Sequence, residues 1–357
     1  MTISVGINGL GRIGRQVLKL CLENNEIDIV GINELNPDIG NWCYTLNYDS
    51  IYPQAFQSKP FFTYQGSKLI KDKIEIFTSH HKNCLDIPWN SWGADYVIDC
   101  TGVSANVKKS KEMIMQHGIK NVFISHSPPI DDVDMTMIIG ANHEDYDTNL
   151  HQVIASSICD ATAIAPVTKL IDDNFNIISG YVTTLHPWLS YQNLLDGPSS
   201  SWSVPGEIYH HYALGRSAIN NIIPKPTSAL DAVFKVLPQL NSDKIGSFSY
   251  RMPTSIVASA DITYCVDKSV SKQHLLDLFE EFQKNQEFPV VKLEESPLTS
   301  VDYAGESCSC IVDLRWLDIV ANSMIKIVLW YDNEYGYSSN VVRQLLYVAG
   351  KNSSSTH

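Results

Sequence analysis

Cys159 and His186 are the residues whose types and surroundings could do covalent chemistry. Cys159 lies in Ser156-Ser157-Ile158-Cys159-Asp160-Ala161-Thr162-Ala163, just ahead of a helical pattern over 161–171. Its sulfur is therefore expected at a helix N-terminus, where the macrodipole favours the nucleophilic thiolate. His186 ends a strand pattern over 180–185, a platform that could hold an imidazole against the sulfur as proton acceptor. A thiolate and a base can attack a carbonyl carbon, and with a hydride acceptor at hand they can oxidise an aldehyde through a thioester. Taken singly, such residues are more often a buried structural thiol and a satisfied core histidine, so their neighbours decide.

A candidate for the acceptor's site opens the chain. Gly9-Leu10-Gly11-Arg12-Ile13-Gly14 follows a strand pattern over 3–8 and begins a helical pattern over 12–23. The first glycine serves a tight turn, the second lets a backbone approach a pyrophosphate, and the third allows close helix–strand packing. Glu34 ends the next strand pattern, over 27–33, twenty residues after Gly14. An acid there accepts hydrogen bonds from the ribose hydroxyls and repels a 2′-phosphate, which predicts NAD rather than NADP.

The elements that would position these groups change character along the chain. Strand patterns at 94–100, 122–125 and 135–139 alternate with helical ones such as 108–116, which predicts a parallel sheet covered on both faces, with an antiparallel addition at 71–77. From about residue 180 come long alternating runs at 247–252, 255–266, 308–313 and 325–330, with helices near 229–237, 272–286 and 339–348. The expected fold is α/β: a Rossmann doubly wound parallel sheet domain over 1–158, completed by a C-terminal helix over 334–350. An α+β catalytic domain with a large mixed or antiparallel sheet is expected over 159–333, and a disordered polar tail over 351–357.

Composition narrows the partners. With 357 residues, 44% hydrophobic and 18% charged, the chain reads as a globular protein of two domains. A formal net charge of −13 argues against nucleic acid or anionic membrane as partner. An anionic small substrate would need local Arg or Lys. No signal peptide or membrane-spanning run is evident, and the cysteines at 21, 43, 84, 100, 159, 265, 308 and 310 match neither a zinc site nor a disulfide framework. A cytoplasmic protein without a metal is the expectation.

Ordered motifs carry a family resemblance over nearly the full length. They include Val5-Gly6-Ile7-Asn8-Gly9-Leu10-Gly11-Arg12-Ile13-Gly14-Arg15, Asp99-Cys100-Thr101-Gly102-Val103 and Thr183-Thr184-Leu185-His186. Asn221-Ile222-Ile223-Pro224, Arg251-Met252-Pro253-Thr254 and Trp330-Tyr331-Asp332-Asn333-Glu334-Tyr335-Gly336 continue them. The chain resembles phosphorylating glyceraldehyde-3-phosphate dehydrogenases and, through Gly31-Ile32-Asn33-Glu34, their erythrose-4-phosphate dehydrogenase relatives. The resemblance implies Cys159 as nucleophile and His186 as its base, with NAD as cofactor. It implies that Arg12 and Ile13 approach the pyrophosphate, that Thr101, Gly102 and Ser125 line the cofactor, and that Asn333 holds the nicotinamide carboxamide. Thr184, Arg216, Thr227 and Arg251 would bind substrate, and the assembly would be a homotetramer.

Several positions depart from the family pattern. Ile158 and Asp160 flank the cysteine where the family has Ser and Thr. A full charge about 6 Å away is worth on the order of 2–3 kcal/mol at an effective dielectric of about 20. That exceeds the roughly 0.3–1 kcal/mol of a helix terminus, so either His186 or Arg251 must compensate or Asp160 must point elsewhere, as a helix cap for instance. Thr162 and Ala163 replace the family's Asn and second Cys. Leu189 and Tyr191 stand where threonine hydroxyls are usual, and Tyr212-Ala213-Leu214-Gly215-Arg216 keeps only one arginine of a basic loop. With Ser228 after Thr227, both anion pockets look thinned. Trp188, Leu189, Tyr191 and Leu214 suggest a roomier, less anionic pocket.

The leading expectation is NAD-dependent oxidation of a phosphorylated or otherwise anionic aldehyde, giving an acid or an acyl phosphate. The alternatives are standard phosphorylating glycolytic chemistry and an NAD-binding paralogue without turnover.

Overall fold

The structure is a computed structural model and describes residues 2–52, 61–199 and 211–354. Its contacts divide the chain into two compact units: residues 1–136, 146–156 and 341–357 form one, and residues 137–145 and 157–340 the other.

The first unit is built on β1 (Ile3–Asn8), α1 (Arg12–Glu23), β2 (Ile27–Asn33), α2 (Ile39–Asn47), β3 (Thr63–Gln65), β4 (Lys68–Lys71) and β5 (Ile74–Ser79). It continues through α3 (Trp89–Trp92), β6 (Tyr96–Asp99), α4 (Ser104–His117), β7 (Asn121–Ile124), β8 (Met135–Thr136) and β9 (Val153–Ala155). The nine strands form one sheet in the order β3-β4-β5-β2-β1-β6-β7-β9-β8. All pairs from β5 to β8 are parallel, whereas β3, β4 and β5 are joined antiparallel; the antiparallel addition expected over 71–77 falls across the β4–β5 hairpin, which turns at Asp72 with φ of 57°. The strand order reverses at β1, and the crevice beside the carboxyl ends of β1 and β6 is where open α/β sheets bind ligands.

A buried polar layer ties those carboxyl ends together. Asn8 donates to Asp99 (2.9 Å), Asn33 donates to Asn8 (2.9 Å), and Ser79 donates to Asn33 (2.9 Å). Asp99 also accepts from the Thr101 amide (3.0 Å) and from Asn106 (3.0 Å). Four successive strands are thus cross-linked beneath the glycine turn, and each polar group is satisfied despite burial.

The second unit begins with α5 (Cys159–Phe175) and β10 (Ile177–Pro187), followed by β11 (Ile223–Lys225), α6 (Ala229–Phe234), β12 (Ile245–Met252) and β13 (Ala258–Val266). α7 (Lys272–Asn285), β14 (Val291–Glu294), β15 (Cys310–Asp313), β16 (Asp318–Val320) and β17 (Met324–Tyr331) follow, and α8 (Tyr335–Ser354) is the last element, with its residues from Val341 onward in the first unit. The main sheet runs β11-β12-β10-β13-β17-β15-β14, mixed in direction, with β16 on β17. The face of α5 that carries Ala161, Ile164, Ala165, Thr168, Ile171 and Phe175 is buried, and the helix packs on β10, β13, β15 and β17. Its N-terminus therefore lies by the ends of β10 and β17.

Two expectations fail at the boundaries. The strand expected over 135–139 stops at Thr136. Met137 onward belongs to the second unit, where the Ile138 amide donates to Asn142 and Gly140 turns with φ of 86°. The tail expected to be disordered from residue 351 is helical through Ser354. Asn352 explains this: it donates to Asn121 (2.9 Å) and accepts from the Tyr146 hydroxyl (3.0 Å), anchoring the last turn on the first sheet. Residues 355–357 lie outside the described ones. No helix among the described residues is long and apolar enough to cross a membrane.

Two of the three fingerprint glycines are required by space. Gly9 has φ of 95°, and a Cβ on Gly14 would sit 1.9 Å from the Gly9 carbonyl oxygen. A Cβ on Gly11 would meet nothing within 4 Å, and its φ of −63° suits any residue. Gly14→Ala is therefore expected to lower stability by about 1–3 kcal/mol or more through overpacking. Gly11→Ala should stay within about 0.5 kcal/mol. Urea unfolding of the two variants checks the contrast, and equal midpoints would contradict this packing.

Candidate active site

The register of the second sheet assembles the site. In the parallel pairing of β10 with β12, His186 faces Arg251 and Thr184 faces Ser249; across β12, Lys225 of β11 also faces Ser249. Tyr331 ends β17 opposite Ala258 of β13. α5 brings Cys159 and Asp160 to the same place as its first two residues.

The turn into α5 is strained. Ser157 is buried with φ of 62°, a conformation costing about 1–3 kcal/mol for a residue with a Cβ. Its carbonyl accepts a hydrogen bond from the Tyr337 hydroxyl (2.9 Å), which holds the turn. Ile158 caps the helix without a side-chain hydrogen bond, so the helix mouth is left to the residues around Cys159.

Cys159 Sγ lies 3.4 Å from His186 Nε2. His186 Nδ1 faces the Pro187 carbonyl at 2.8 Å, and a carbonyl can only accept. The ring proton therefore sits on Nδ1, and Nε2 presents a lone pair to the thiol. Asp160 does not act as a cap. Its Oδ1 accepts from the Tyr331 hydroxyl (2.7 Å) and lies 3.7 Å from Cys159 Sγ and 3.8 Å from His186 Nε2. Thiol, imidazole, carboxylate and phenol form one cluster, in which Asp160 and His186 are almost wholly buried.

Burial and the Asp160 charge push the Cys159 thiol well above its usual range, against the opposing pull of Arg251 and of the Asp160 amide at the helix mouth. Burial, then the Arg251 charge, push His186 down to about 4, with Asp160 pulling the other way. At neutral pH the pair rests as thiol and neutral imidazole, not as the thiolate–imidazolium pair that a helix terminus and a cationic histidine would favour. A carboxylate at 3.7 Å, closer than the sequence suggests, outweighs the helix terminus.

Of the four expected substrate residues, only Arg251 joins the cluster. Arg251 is buried and donates to the Pro187 carbonyl (3.4 Å) and the Tyr191 hydroxyl (3.4 Å); its Nε has no partner among the described residues. The Thr184 hydroxyl is fully buried and donates to Ser249 (2.8 Å). Arg216 is exposed and paired with Asp196 (2.7 Å), and Thr227 accepts from the Ala229 amide (3.2 Å) at the start of α6. Sequence reasoning missed two members. Tyr331 sits inside the quoted Trp330–Asn333 motif without a role assigned there. Lys225 follows Asn221-Ile222-Ile223-Pro224, and burial together with Arg251 pushes its amine down to about 8.

The expected cofactor residues can be tested for fit. The exposed Gly11 leaves room for a ligand's approach, while Gly9 and Gly14 fix the turn. Glu34 accepts from the Leu10 amide (2.7 Å) and the Asn36 amide (3.2 Å), so the acid also braces the glycine loop. Arg12 pairs with Asp49 (2.8 Å) at the start of α1, and Ile13 follows it, half-buried. Thr101 is held by Asp99 (2.5 Å), Gly102 has φ of 70°, and the Ser125 amide donates to the Asp99 carbonyl (3.0 Å). Asn333 is buried with its Oδ1 unpartnered among the described residues, an acceptor suited to a carboxamide NH2. The glycine turn, Glu34 and Thr101 of the first unit fit NAD.

Asp160→Asn keeps the shape of the side chain and removes the charge next to the sulfur. The pH profile of iodoacetamide labelling at Cys159 should move to lower pH, with faster labelling near neutrality. An unmoved profile would mean that Asp160 does not set the thiol's ionisation.

The family model "Glyceraldehyde 3-phosphate dehydrogenase, NAD binding domain" matches residues 3–107, and "Glyceraldehyde 3-phosphate dehydrogenase, C-terminal domain" matches residues 158–333. Glyceraldehyde-3-phosphate dehydrogenase 3.1 of Caenorhabditis briggsae is 34% identical over 355 residues, covering 98% of this chain and 98% of that protein. Glyceraldehyde-3-phosphate dehydrogenase of Cochliobolus heterostrophus is 34% identical over 349 residues, with 98% of each covered. Glyceraldehyde-3-phosphate dehydrogenase 4 of Caenorhabditis elegans is 36% identical over 353 residues, covering 97% of this chain and 98% of that protein. The chain belongs to the glyceraldehyde 3-phosphate dehydrogenase family and is an NAD-dependent dehydrogenase of that type.

Proposed function

We propose that the protein oxidises an anionic aldehyde to the free acid, with Cys159 as nucleophile and His186 as its base. The observation that carries this reading is the 3.4 Å approach of Cys159 Sγ to the unprotonated Nε2 of His186 at the mouth of α5. Nε2 takes the thiol proton as sulfur bonds to the carbonyl carbon, and returns it to the carbonyl oxygen to give the hemithioacetal. Bound NAD supplies the two-electron acceptor for the carbon–hydrogen bond. As that bond is oxidised, His186 takes the hydroxyl proton and an acyl group remains on sulfur. His186 passes that proton to solvent; water then adds to the thioester with the neutral His186 as base, and as the carbon–sulfur bond breaks His186 returns the proton taken from water to sulfur, releasing acid and thiol.

Charge supports an anionic substrate. Arg251 and Lys225 bring two cations to the cluster against the single carboxylate of Asp160. An anionic group between them would offset the repulsion that lowers the Lys225 pKa. The same inventory favours water over inorganic phosphate as acyl acceptor. Thr184, Thr227 and Arg216 are each engaged elsewhere, which leaves cations for one anion and not two. Gly9, Gly11, Arg12, Ile13, Gly14, Glu34, Thr101, Gly102, Ser125 and Asn333 are the residues proposed to hold NAD. A cytoplasmic homotetramer follows from the same family reading, and sedimentation would check the assembly.

With phosphorylated and carboxylated aldehydes, NADH formation should proceed at the same rate with and without inorganic phosphate. Cys159→Ser should lose at least about 100-fold in kcat. A strict phosphate requirement would restore the acyl-phosphate product, and near-normal turnover by Cys159→Ser would remove the thioester. Glu34→Ala should weaken NAD binding and relatively favour NADP; unchanged affinity for both, measured by fluorescence titration, would take Glu34 out of the ribose site.

A further inference from the structure

The cluster around Cys159 has a second chemical capacity. Sγ of Cys159, a carboxylate oxygen of Asp160 and Nε2 of His186 lie within 4.8 Å of one another, the one such set of three Cys, His, Asp or Glu donors among the described residues. The edges of this triangle are 3.4 Å for Sγ–Nε2, 3.7 Å for Sγ–Oδ1 and 3.8 Å for Oδ1–Nε2. Tetrahedral zinc, with bonds of about 2.3 Å to sulfur and about 2.0–2.2 Å to nitrogen and oxygen, needs donor–donor edges of roughly 3.3–3.6 Å. The donors therefore stand within about half an ångström of a zinc ligand set without movement of the backbone.

We propose that Cys159, Asp160 and His186 form a site for a tetrahedral divalent cation of the zinc class, with the fourth position open to water. The donor set excludes magnesium and calcium, which prefer all-oxygen ligands, and selects zinc or cobalt through its thiolate and imidazole. Three protein ligands and one open position are the arrangement of accessible zinc centres.

The surroundings are those of a metal site. His186 Nδ1–H donates to the Pro187 carbonyl (2.8 Å), which fixes the tautomer whose Nε2 can coordinate. The Tyr331 hydroxyl donates to Asp160 Oδ1 (2.7 Å) and orients the carboxylate. The filled set is itself neutral, because thiolate and carboxylate together offset a 2+ ion, and relative to the resting thiol the site gains one positive charge, the ion's two less the one proton released. Asp160 is decisive here, because Arg251 and Lys225 would oppose a cation held by Cys159 and His186 alone.

Binding is an exchange without redox change: the metal–sulfur bond forms, and the thiol proton leaves to solvent. Affinity accordingly rises with pH. The ion and an aldehyde carbon compete for one sulfur lone pair, so zinc is a reversible block on Cys159. The metal site goes beyond the dehydrogenase reading and does not depend on it, since donors and geometry are the same with or without turnover.

The test is titration of the full chain with Co2+ alone, without aldehyde, followed by displacement with Zn2+. One equivalent should give a thiolate-to-cobalt charge-transfer band with four-coordinate visible bands, lost on adding Zn2+, and Zn2+ should protect Cys159 from iodoacetamide. Cys159→Ser should abolish the charge-transfer band. Asp160→Asn should weaken binding more than tenfold, and Tyr331→Phe, which leaves all three ligands in place, by about 10- to 100-fold. No band in the parent protein, a band that survives Cys159→Ser, or unchanged affinity in both Asp160→Asn and Tyr331→Phe would each overturn the site. A protein inert to every aldehyde that still gives the band would keep the metal site and lose the catalytic reading.

Discussion

The second unit is organised around one buried carboxylate. Asp160 accepts the Tyr331 hydroxyl and stands against both the thiol of Cys159 and the imidazole of His186. A buried charge must be compensated, and here the compensation comes from a phenol, the cations Arg251 and Lys225, and the mouth of α5. Burial first, and then the same charge, raise the thiol's pKa, while burial and Arg251 lower that of His186, so the resting pair is neutral and reactivity depends on moving a proton to His186 Nε2. That is a different starting point from a thiol preset as an anion by a helix terminus.

Position explains why one substitution has this reach. The second residue of α5 lies on the helix's buried face, above the ends of β10 and β17. A carboxylate there is almost wholly buried and meets whatever those strands present. β10 presents His186, β12 presents Arg251 beside it, and β17 presents Tyr331. The thinned set of hydroxyls and arginines fits this arrangement. Thr184, Thr227 and Arg216 are satisfied by Ser249, the Ala229 amide and Asp196, and none is left waiting for an anion at the thiol.

The first unit rests on a different constraint. Asn8, Asn33, Ser79 and Asp99 join four strand ends in a buried hydrogen-bonded layer, and Glu34 fastens the Leu10 amide above it. The glycine turn therefore stands on a rigid base, with Gly14 packed against the carbonyl of Gly9. Satisfying the layer requires all of its members at once, which makes the turn's geometry a property of the sheet and not of the loop alone.

Much of this was legible in the chain itself. The fingerprint glycines, the alternation of β1 to β9 with helices, the long strands of the second sheet and the pair Cys159–His186 follow from local pattern, because backbone sterics and periodic burial act over a few residues. The last turn of α8, residues 351–354, is not visible in so polar a stretch, because Asn352 is anchored by Tyr146 and Asn121, more than 200 residues away in sequence. Lys225 and Tyr331 joined the site only through strand register, and Asp160 could be read either as a cap or as a charge at the sulfur. The sequence by itself determined which groups could react and which elements would carry them. Only the tertiary structure decided the charge state of the thiol, the engagement of Thr184, Thr227 and Arg216, and the triangle of sulfur, nitrogen and oxygen. Those depend on distances of a few ångströms between residues far apart in the chain, set by register and packing that no local pattern encodes.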